Sequence, residues 1–225
     1  MLTFRQKDCS INNSGAVRKL TVTLLLLVFS LLTALATDIT SLDQIDNPSG
    51  NYTITGNINA SGFSTIASFT GTLTAAIDPV TNSPYIISNL SCPLFTTATD
   101  ATISNIMLKG VSISQGGYVG AICGTANGAT RIYNCGILPT TNDASSTSTI
   151  GSNNSYCGSL VGFLDGTARV INCFSYANIT SGTVRAGIVG YNNYSSKYND
   201  QRTMVMNCMF YGDISDGGTI YPVFG

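Results

Sequence analysis

The sequence contains no histidine, no tryptophan and no glutamate, and charged residues make up only 9% of its 225 positions. Histidine is the usual general base, the usual partner of a nucleophilic serine or cysteine, and the commonest zinc ligand. Because histidine is absent, most hydrolase mechanisms are excluded, and we expect no catalytic residue, no metal site and no cofactor. The protein is therefore predicted not to be an enzyme.

Positive charge is also scarce after the first 36 residues. From Thr37 onward, four arginines and two lysines face ten aspartates, which leaves a net charge of about −4. A chain without a basic patch is a poor partner for nucleic acid, so this class of ligand is excluded. The hydrophobic fraction of 44% indicates a packed domain rather than a disordered one.

The first 36 residues have the composition of a signal peptide. A basic start is followed by the uncharged apolar run 20–32 and by small residues at 34–36. We expect cleavage between Ala36 and Thr37, and no membrane insertion of the chain afterwards. An uncleaved anchor is the alternative, although the uncharged run is at the short end of the roughly 17 to 25 residues that span a bilayer. The signal predicts a protein that is extracellular or displayed on the cell surface.

The rest of the chain repeats itself. The segment YVGAICGTANGATRIYNC, which starts at Tyr118, aligns without a gap with YCGSLVGFLDGTARVINC, which starts at Tyr156. Repetition of this kind indicates units that bury their apolar faces only against neighbouring copies. The core is therefore expected to form by stacking.

A shorter motif extends the repeat in both directions: a β-branched residue, any residue, Asn, then an apolar residue or Cys. Asparagine tolerates the left-handed backbone of a corner, and stacked side-chain amides can hydrogen-bond to one another. We therefore predict a structural ladder of asparagine side chains, formed by Asn89, Asn105, Asn134, Asn172 and Asn207.

A second motif has two apolar residues followed by glycine. It ends at Gly124, Gly162 and Gly190, and it returns at Gly225, where we expect a further coil to begin. We expect each of these glycines to mark a corner at which a positive φ is needed.

Short β-branched and aromatic runs bounded by Gly, Asn, Asp and Ser predict strands of about five residues, and no helical period is sustained after Thr37. The predicted fold class is all-β: a right-handed parallel β-helix, or β-solenoid, with irregular coils. Residues 1–36 are the signal peptide, 37–90 a divergent N-terminal cap with the first coils, and 91–225 the repeats.

The repeat motifs resemble a known family. The segment GSLVG at 158–162, followed by Gly166 and by Asn172-Cys173-Phe174, resembles the GLUG repeats of bacterial surface proteins and IgA-protease-like ectodomains. The segment NYTITGNINASGF at 51–63 resembles the lead-in to such repeats. The resemblance implies an extracellular stalk or adhesin-like module that is part of a longer polypeptide, and it implies no catalytic site.

Cysteine usage leaves two interpretations open. An even number of cysteines in an exported chain is typical of disulfides, and stacked strands lie close enough for bridges. Several of these cysteines instead share a repeat position with each other or with valine, which favours small buried thiols. The six after the signal are Cys92, Cys123, Cys135, Cys157, Cys173 and Cys208.

Tyrosines are the best candidates for ligand contacts, because they supply amphipathic contact area. Tyr191, Tyr194 and Tyr198 lie in a polar insertion and are predicted loop contacts. Tyr118 and Tyr156 occupy one repeat position and are interpreted as structural.

Arg131 and Arg169 also share one repeat position. A row of guanidinium groups can hold acidic sugars, or it can be a solvated edge that prevents strand pairing, and the second interpretation is favoured. The aspartates are dispersed. The nearest pair, Asp213 and Asp216, is interpreted as a turn rather than a calcium loop.

These features predict a secreted or cell-surface repeat module without catalysis, acting as an adhesin, a spacer or a ligand-binding stalk. Its expected partner is a surface glycan or a protein. Two alternatives stay open. One is a polysaccharide lyase or glycoside hydrolase, because such enzymes share the β-helix. The other is a glycan-binding module.

Overall fold

Short strands make up the fold. The computed structural model describes residues 35–141, 147–193 and 203–223. Within these ranges there is no α-helix, and the one helical turn is a 3-10 segment, Leu42–Gln44, capped by Ser41. In chain order the strands are β1 (Thr37–Ile39), β2 (Asn51–Ile54), β3 (Ile58–Asn59), β4 (Ile66–Phe69), β5 (Thr72–Ala75), β6 (Ile77–Asp78), β7 (Ser83–Pro84), β8 (Ile86–Ser88), β9 (Phe95–Thr99), β10 (Thr102–Ser104), β11 (Met107–Lys109), β12 (Ser112–Gln115), β13 (Cys123–Asn127), β14 (Arg131–Tyr133), β15 (Gly136–Ile137), β16 (Thr149–Ser152), β17 (Tyr156–Gly158), β18 (Val161–Leu164), β19 (Arg169–Ile171), β20 (Phe174–Ser175), β21 (Asn178–Ser181), β22 (Val184–Ala186), β23 (Val189–Asn192), β24 (Met204–Met206), β25 (Met209–Phe210) and β26 (Thr219–Tyr221).

The strands form five parallel sheets and one hairpin. Sheet 1 has the order β1-β2-β5-β10-β14-β19-β24, and sheet 2 has the order β3-β8-β11-β15-β20-β25. Sheet 3 is β4-β9-β13-β18-β23, sheet 4 is β12-β16-β21, and sheet 5 is β17-β22-β26. Only β6 and β7, among the described strands, pair antiparallel. The structure confirms the predicted all-β class, with parallel sheets.

The chain visits the three large sheets in a fixed order. From β4 onward it runs through sheet 3, sheet 1 and sheet 2, and then returns to sheet 3. We call each such segment a pass. Each pass pairs in register with the one before, so that Ile103 faces Ile132, which faces Val170, which faces Val205. Parallel strands need such crossover connections, which explains why successive strands of one sheet are far apart in sequence.

The core lies between the sheets and is built from rows of equivalent side chains. In sheet 1, Leu73, Ile103, Ile132 and Val170 are all fully buried. In sheet 3, Phe95 is fully buried and stacks on Phe69 of the preceding pass, with ring centroids 4.3 Å apart. Since successive residues of a strand point to opposite faces, these rows alternate with outward polar rows.

The corner between sheet 1 and sheet 2 has a constant length. In the last four passes, two residues separate the sheet 1 strand from the sheet 2 strand, and the first of the two is asparagine. These asparagines have positive φ values of 51 to 57°. The connections from sheet 2 back to sheet 3 vary in length and carry sheets 4 and 5. In these four passes the constant part is therefore the corner between sheet 1 and sheet 2.

The glycines of the apolar-apolar-Gly motif do not have the predicted conformation. Gly124, Gly162 and Gly190 all lie outside the positive-φ region, so that prediction is wrong. The reason for glycine is steric: a Cβ at Gly162 would collide with the backbone of Val119 in the preceding pass, and one at Gly190 would lie 2.6 Å from the carbonyl oxygen of Gly162. The glycines allow two backbones to approach closely.

The described residues from Ala36 onward belong to the larger of two compact units. In the described part of the chain, no helix is long and apolar enough to cross a membrane. The N-terminal part of the larger unit carries the only hairpin and the 3-10 segment of the described residues, and these features do not recur in later passes.

Candidate functional site: an aromatic stack beside sheet 3

The predicted loop contacts are only partly within the described structure. Tyr191 lies on β23, the last strand of sheet 3, whereas Tyr194 and Tyr198 fall outside the described residues. The ring of Tyr191 stacks on Tyr156 with a centroid distance of 4.6 Å and on Phe163 with 5.6 Å. Tyr191 therefore belongs to a group of rings rather than to a separate loop.

Four side chains form this aromatic stack: Tyr118, Tyr156, Phe163 and Tyr191. Tyr118 lies 5.3 Å from Tyr156 and 4.8 Å from Phe163, measured between ring centroids. Every pair in contact has an interplanar angle of 17° or less. Contacts of this kind contribute about 0.5–1.5 kcal/mol each beyond the area that they bury.

Strand register explains why the rings meet. Phe163 and Tyr191 are direct partners on β18 and β23. A bridge between Val119 and Cys157 brings Tyr118 and Tyr156 side by side in successive passes. Equivalent residues in neighbouring parallel strands lie about 4.8 Å apart, which is close to the spacing at which rings stack.

The backbone around the stack is held in place by polar contacts. The Gly117 N–H donates to Asn154 Oδ1 at 3.2 Å, and the Ser152 hydroxyl donates to the Gly117 carbonyl at 2.7 Å. On the other side, Asn193 Nδ2 donates to Asp165 Oδ1 at 2.9 Å. These contacts fix the residues that flank Tyr118 and Tyr191, so the stack is preorganised.

The stack is a partly solvated surface. Tyr118 is 40% exposed, and the other three rings are half-buried. Such rings offer apolar edges for a ligand, and their tyrosine hydroxyls can donate or accept hydrogen bonds. Sequence reasoning missed Phe163 because its repeat equivalent is Thr125, and it assigned Tyr118 and Tyr156 a structural role only. The shared repeat position of Tyr118 and Tyr156 was the signal in the sequence that their rings lie side by side.

The structure divides the five predicted ladder asparagines between two corners. Asn134 Nδ2 donates to Asn105 Oδ1 at 3.4 Å, Asn172 donates to Asn134 at 3.4 Å, and Asn207 donates to Asn172 at 2.7 Å. Asn89 instead follows a strand of sheet 2 and donates to Asn59 Oδ1 at 3.0 Å. Four of the predicted residues thus share one column, and Asn89 lies in another.

The residues of the predicted cleavage site are exposed. Ala36 precedes β1, and Thr37 is the first residue of β1, where it pairs with Tyr52. The first strand of sheet 1 therefore lies wholly on the C-terminal side of the predicted cleavage point.

All six cysteines in the described residues are free thiols. Burial raises the pKa of the Cys157 thiol to about 12, and burial also raises the pKa of the Cys123 thiol. The pKa of Cys208 is raised chiefly by a hydrogen bond with Cys173 in the neighbouring pass. Because the thiolate is the reactive form, these thiols with a raised pKa are poor nucleophiles.

Three comparisons with known proteins give matches. A family model for the M26 IgA1-specific metallo-endopeptidase N-terminal region matches residues 34–137. The immunoglobulin A1 protease of Streptococcus sanguinis is 38% identical over 97 residues, which are 40% of this chain and 5% of that protein. A solved structure of an IgA1 protease aligns with 82% of this chain and 20% of its own, at 20% identity and a TM-score of 0.41. The chain thus spans a small part of the length of the proteins it matches.

These matches correct one prediction. The sequence predicts that the protein is not an enzyme, but the matching family and the curated relative are both proteases. The matched family region is the N-terminal one. The similarity to IgA proteases that the motifs imply is found over the first half of the described chain.

The metal of a metallo-endopeptidase does not fit the residues described here. The whole chain lacks histidine and glutamate, which are common zinc ligands in catalytic sites. Across 35–141, 147–193 and 203–223, no three His, Cys, Asp or Glu side chains gather closely enough to hold a metal ion. No step of metal chemistry is therefore derived from these residues.

Proposed function

We propose that this chain is a right-handed parallel β-helix in the N-terminal part of a secreted or surface-attached IgA1-protease-like polypeptide. Its role is to space and orient the parts of that polypeptide that flank it, and to present side chains to a ligand. In this proposal residues 1–36 are the signal peptide, 37–90 the cap and first coils, and 91–225 repeats of the GLUG type.

The fixed order in which the chain visits the sheets is the main observation in support of the spacer role. Each pass adds one strand to sheets 1, 2 and 3 in the same register, so every pass lengthens the module by one strand spacing of about 4.8 Å. A body that grows in this way is rigid along one axis because its core is continuous from pass to pass. Rigidity and regular growth are the properties of a spacer.

The architecture is tested by removing one pass. Deletion of residues 135–172 joins Asn134 to Cys173 and preserves the Asn-Cys sequence of the corner. We expect the shortened chain to keep a cooperative urea transition and a β-type circular dichroism spectrum. A matched control deletes 135–153, half of that length, and should lose the cooperative transition because every later strand then falls out of register. Equal behaviour of the two deletions would contradict the β-helix.

The role is tested in the complete polypeptide that carries this chain. We expect that polypeptide to hydrolyse IgA1. Deletion of residues 37–225, which keeps the predicted signal peptide, should lower hydrolysis when the polypeptide is attached to a cell surface, and should leave hydrolysis by the released polypeptide unchanged. Loss of activity in the released form would instead assign the segment to the catalytic machinery and overturn the spacer role.

Ligand binding is a second candidate function, favoured by the aromatic stack. Tyr118 and Tyr191 cap the two ends of the stack, and Tyr194 and Tyr198 follow it in the sequence. The ligand class is a surface glycan or a protein. The double substitution Tyr118→Ala with Tyr191→Ala should abolish binding to uncharged glycans on a glycan array, whereas Tyr211→Ala, another exposed tyrosine, should not. Equal binding by both variants would exclude the aromatic stack as the ligand-binding site.

A further inference from the structure

The outer face of sheet 1 carries two adjacent arginines. Ile132 and Val170 point into the core and are fully buried, so their neighbours in the strands point outward. Arg131 on β14 and Arg169 on β19 are direct partners in the parallel register. Their Cα atoms are therefore separated by about one strand spacing of 4.8 Å.

Two like charges opposite each other in a sheet destabilise it unless an anion lies between them. Across the described residues, neither Arg131 nor Arg169 has an ion pair or a side-chain hydrogen bond. Arg185 is different, because its guanidinium donates to the carbonyls of Gly182, Ser215 and Asp216 at 3.0, 2.5 and 2.6 Å. The guanidinium group of Arg185 therefore stabilises the fold through hydrogen bonds, whereas Arg131 and Arg169 make no such bonds with the described residues.

Among the described residues, the acidic side chains of the turns between sheet 3 and sheet 1 are engaged elsewhere. Asp100 Oδ1 accepts a hydrogen bond from the Ala129 N–H at 2.7 Å. Asp165 Oδ1 accepts from the Gly166 N–H at 2.8 Å and from Asn193. Both carboxylates serve the turns after sheet 3, which leaves the two guanidinium groups available to an external anion.

The surroundings of the pair define the ligand. Tyr133, two residues after Arg131, points outward and is half-buried, and its partner in the preceding pass is Ser104. Ser104 is buried, and its hydroxyl lies 3.0 Å from that of Thr74. Thr102, the partner of Arg131 in the preceding pass, is half-buried on the same outward row and places a hydroxyl beside the arginine. The face thus offers planar cations for a carboxylate, a ring for an apolar surface, and hydroxyls for further hydroxyls. Acidic sugars combine these three features.

Other anionic ligands fit this face less well. A nucleic acid needs many cations, and this acidic chain offers only two at the site. An acidic peptide in extended form binds by adding a strand to a sheet edge, but β14 and β19 are interior strands of sheet 1 with both neighbours in place. A flat face with occupied backbone groups favours a ligand recognised through side chains.

We propose that Arg131 and Arg169 together bind the carboxylate of an acidic carbohydrate on the outer face of sheet 1, with Tyr133 against the sugar ring. This site lies on a different sheet from the aromatic stack and goes beyond the spacer role. Its success or failure is therefore independent of both earlier tests.

The test measures binding of tetragalacturonate to the full chain by isothermal titration calorimetry at low ionic strength. The double substitution Arg131→Gln with Arg169→Gln should weaken binding at least about 100-fold, the loss expected for two charged hydrogen bonds. Lys109→Gln, which removes one charge from an exposed position on sheet 2, should leave binding unchanged. Arg131→Lys with Arg169→Lys should restore only part of the affinity because lysine lacks the planar fork.

Two further probes separate the ligand classes. The methyl ester of the same tetramer should not bind, and tetra-aspartate should bind more weakly than the uronate. The proposal is overturned if wild-type protein fails to bind the uronate at millimolar concentration, or if the ester or the peptide binds as well. It is also overturned if the double glutamine variant keeps wild-type affinity. Should that variant fail to fold, the difference between uronate and ester in the thermal shift of the wild-type protein decides the question.

Discussion

The two ends of the stack of passes are built differently. At the N-terminal end, Ile39 on the first strand is only 1% exposed, and Leu42 of the 3-10 segment belongs to the same buried cluster. At the C-terminal end, Val205 and Phe210, the inward-facing residues of β24 and β25, are only half-buried. The first end is covered by a short local segment, and no described residue covers the second.

Single rows show the same contrast. Val170 and Val205 are partners in sheet 1, yet Val170 is fully buried and Val205 is half-buried. Cys173 and Cys208 occupy one corner position, yet only Cys173 is buried. Position in the repeat decides which way a side chain points, and the presence of a neighbour on both sides decides how much it is buried.

The largest expected effect compares a central with a terminal member of one row. Ile132→Ala in the middle of sheet 1 should lower the free energy of unfolding by about 3–4 kcal/mol, because it leaves a cavity with passes on both sides. Val205→Ala should cost about 1 kcal/mol, since that site is half-solvated. Urea denaturation measures both. Equal losses at the two positions would show that the terminal strand is as well packed as the centre.

A smaller effect is expected in the asparagine column. Asn134 makes ladder hydrogen bonds with both Asn105 and Asn172 and has a φ of 53°. Asn134→Ala should cost about 2–3 kcal/mol, because it removes these bonds and leaves in the left-handed region a residue without the short polar side chain that lets asparagine adopt it. Asn134→Gly should cost about 1 kcal/mol less, since glycine adopts that conformation freely. At the terminal Asn207, alanine should cost less than at Asn134. An alanine loss at Asn207 as large as that at Asn134 would contradict a role for neighbours on both sides.

The smallest effect concerns pH and the interior of the stack. The pKa of Cys157 is about 12 in the folded chain, against about 9 for an ordinary thiol. Its contribution to stability is complete below pH 9 and is lost as the pH rises towards 12, because only the unfolded state releases the proton in this window. The free energy of unfolding should fall by about 1.4 kcal/mol at pH 10 from this thiol alone. Cys157→Val, which matches its partner Val119, should remove that part of the pH dependence. Identical pH profiles for the variant and the wild type would show that the thiol is not desolvated.

The sequence predicts the class of fold because the repeat fixes the register. The spacing of Asn105, Asn134, Asn172 and Asn207 matches the strand register found in sheet 1. Asn89 could not be separated from them, because the same short motif also ends a strand of sheet 2. Its distance of 16 residues from Asn105 is too short for a pass, which is the signal that sets it apart.

Other features depend on contacts between passes that one sequence does not display. Gly162 is glycine because a neighbouring backbone approaches it, and nothing local distinguishes that cause from a turn. Phe163 joins the aromatic stack only because β18 pairs with β23, although its repeat equivalent is threonine. The similarity to IgA proteases was visible in the motifs. The prediction of no enzymatic activity came from the residue types of this chain, and this chain aligns with only 5% of the protease that it matches.

The two-residue corner between sheets 1 and 2, constant in the last four passes, fixes the register of each pass on the one before it. An inserted residue there would shift every later strand by one position and turn its apolar side chains towards water. The connections from sheet 2 to sheet 3 already differ in length between passes, so they tolerate insertion. A foreign peptide grafted into each of them would be displayed along one axis at regular intervals, which offers protein engineers a scaffold with ready-made attachment points.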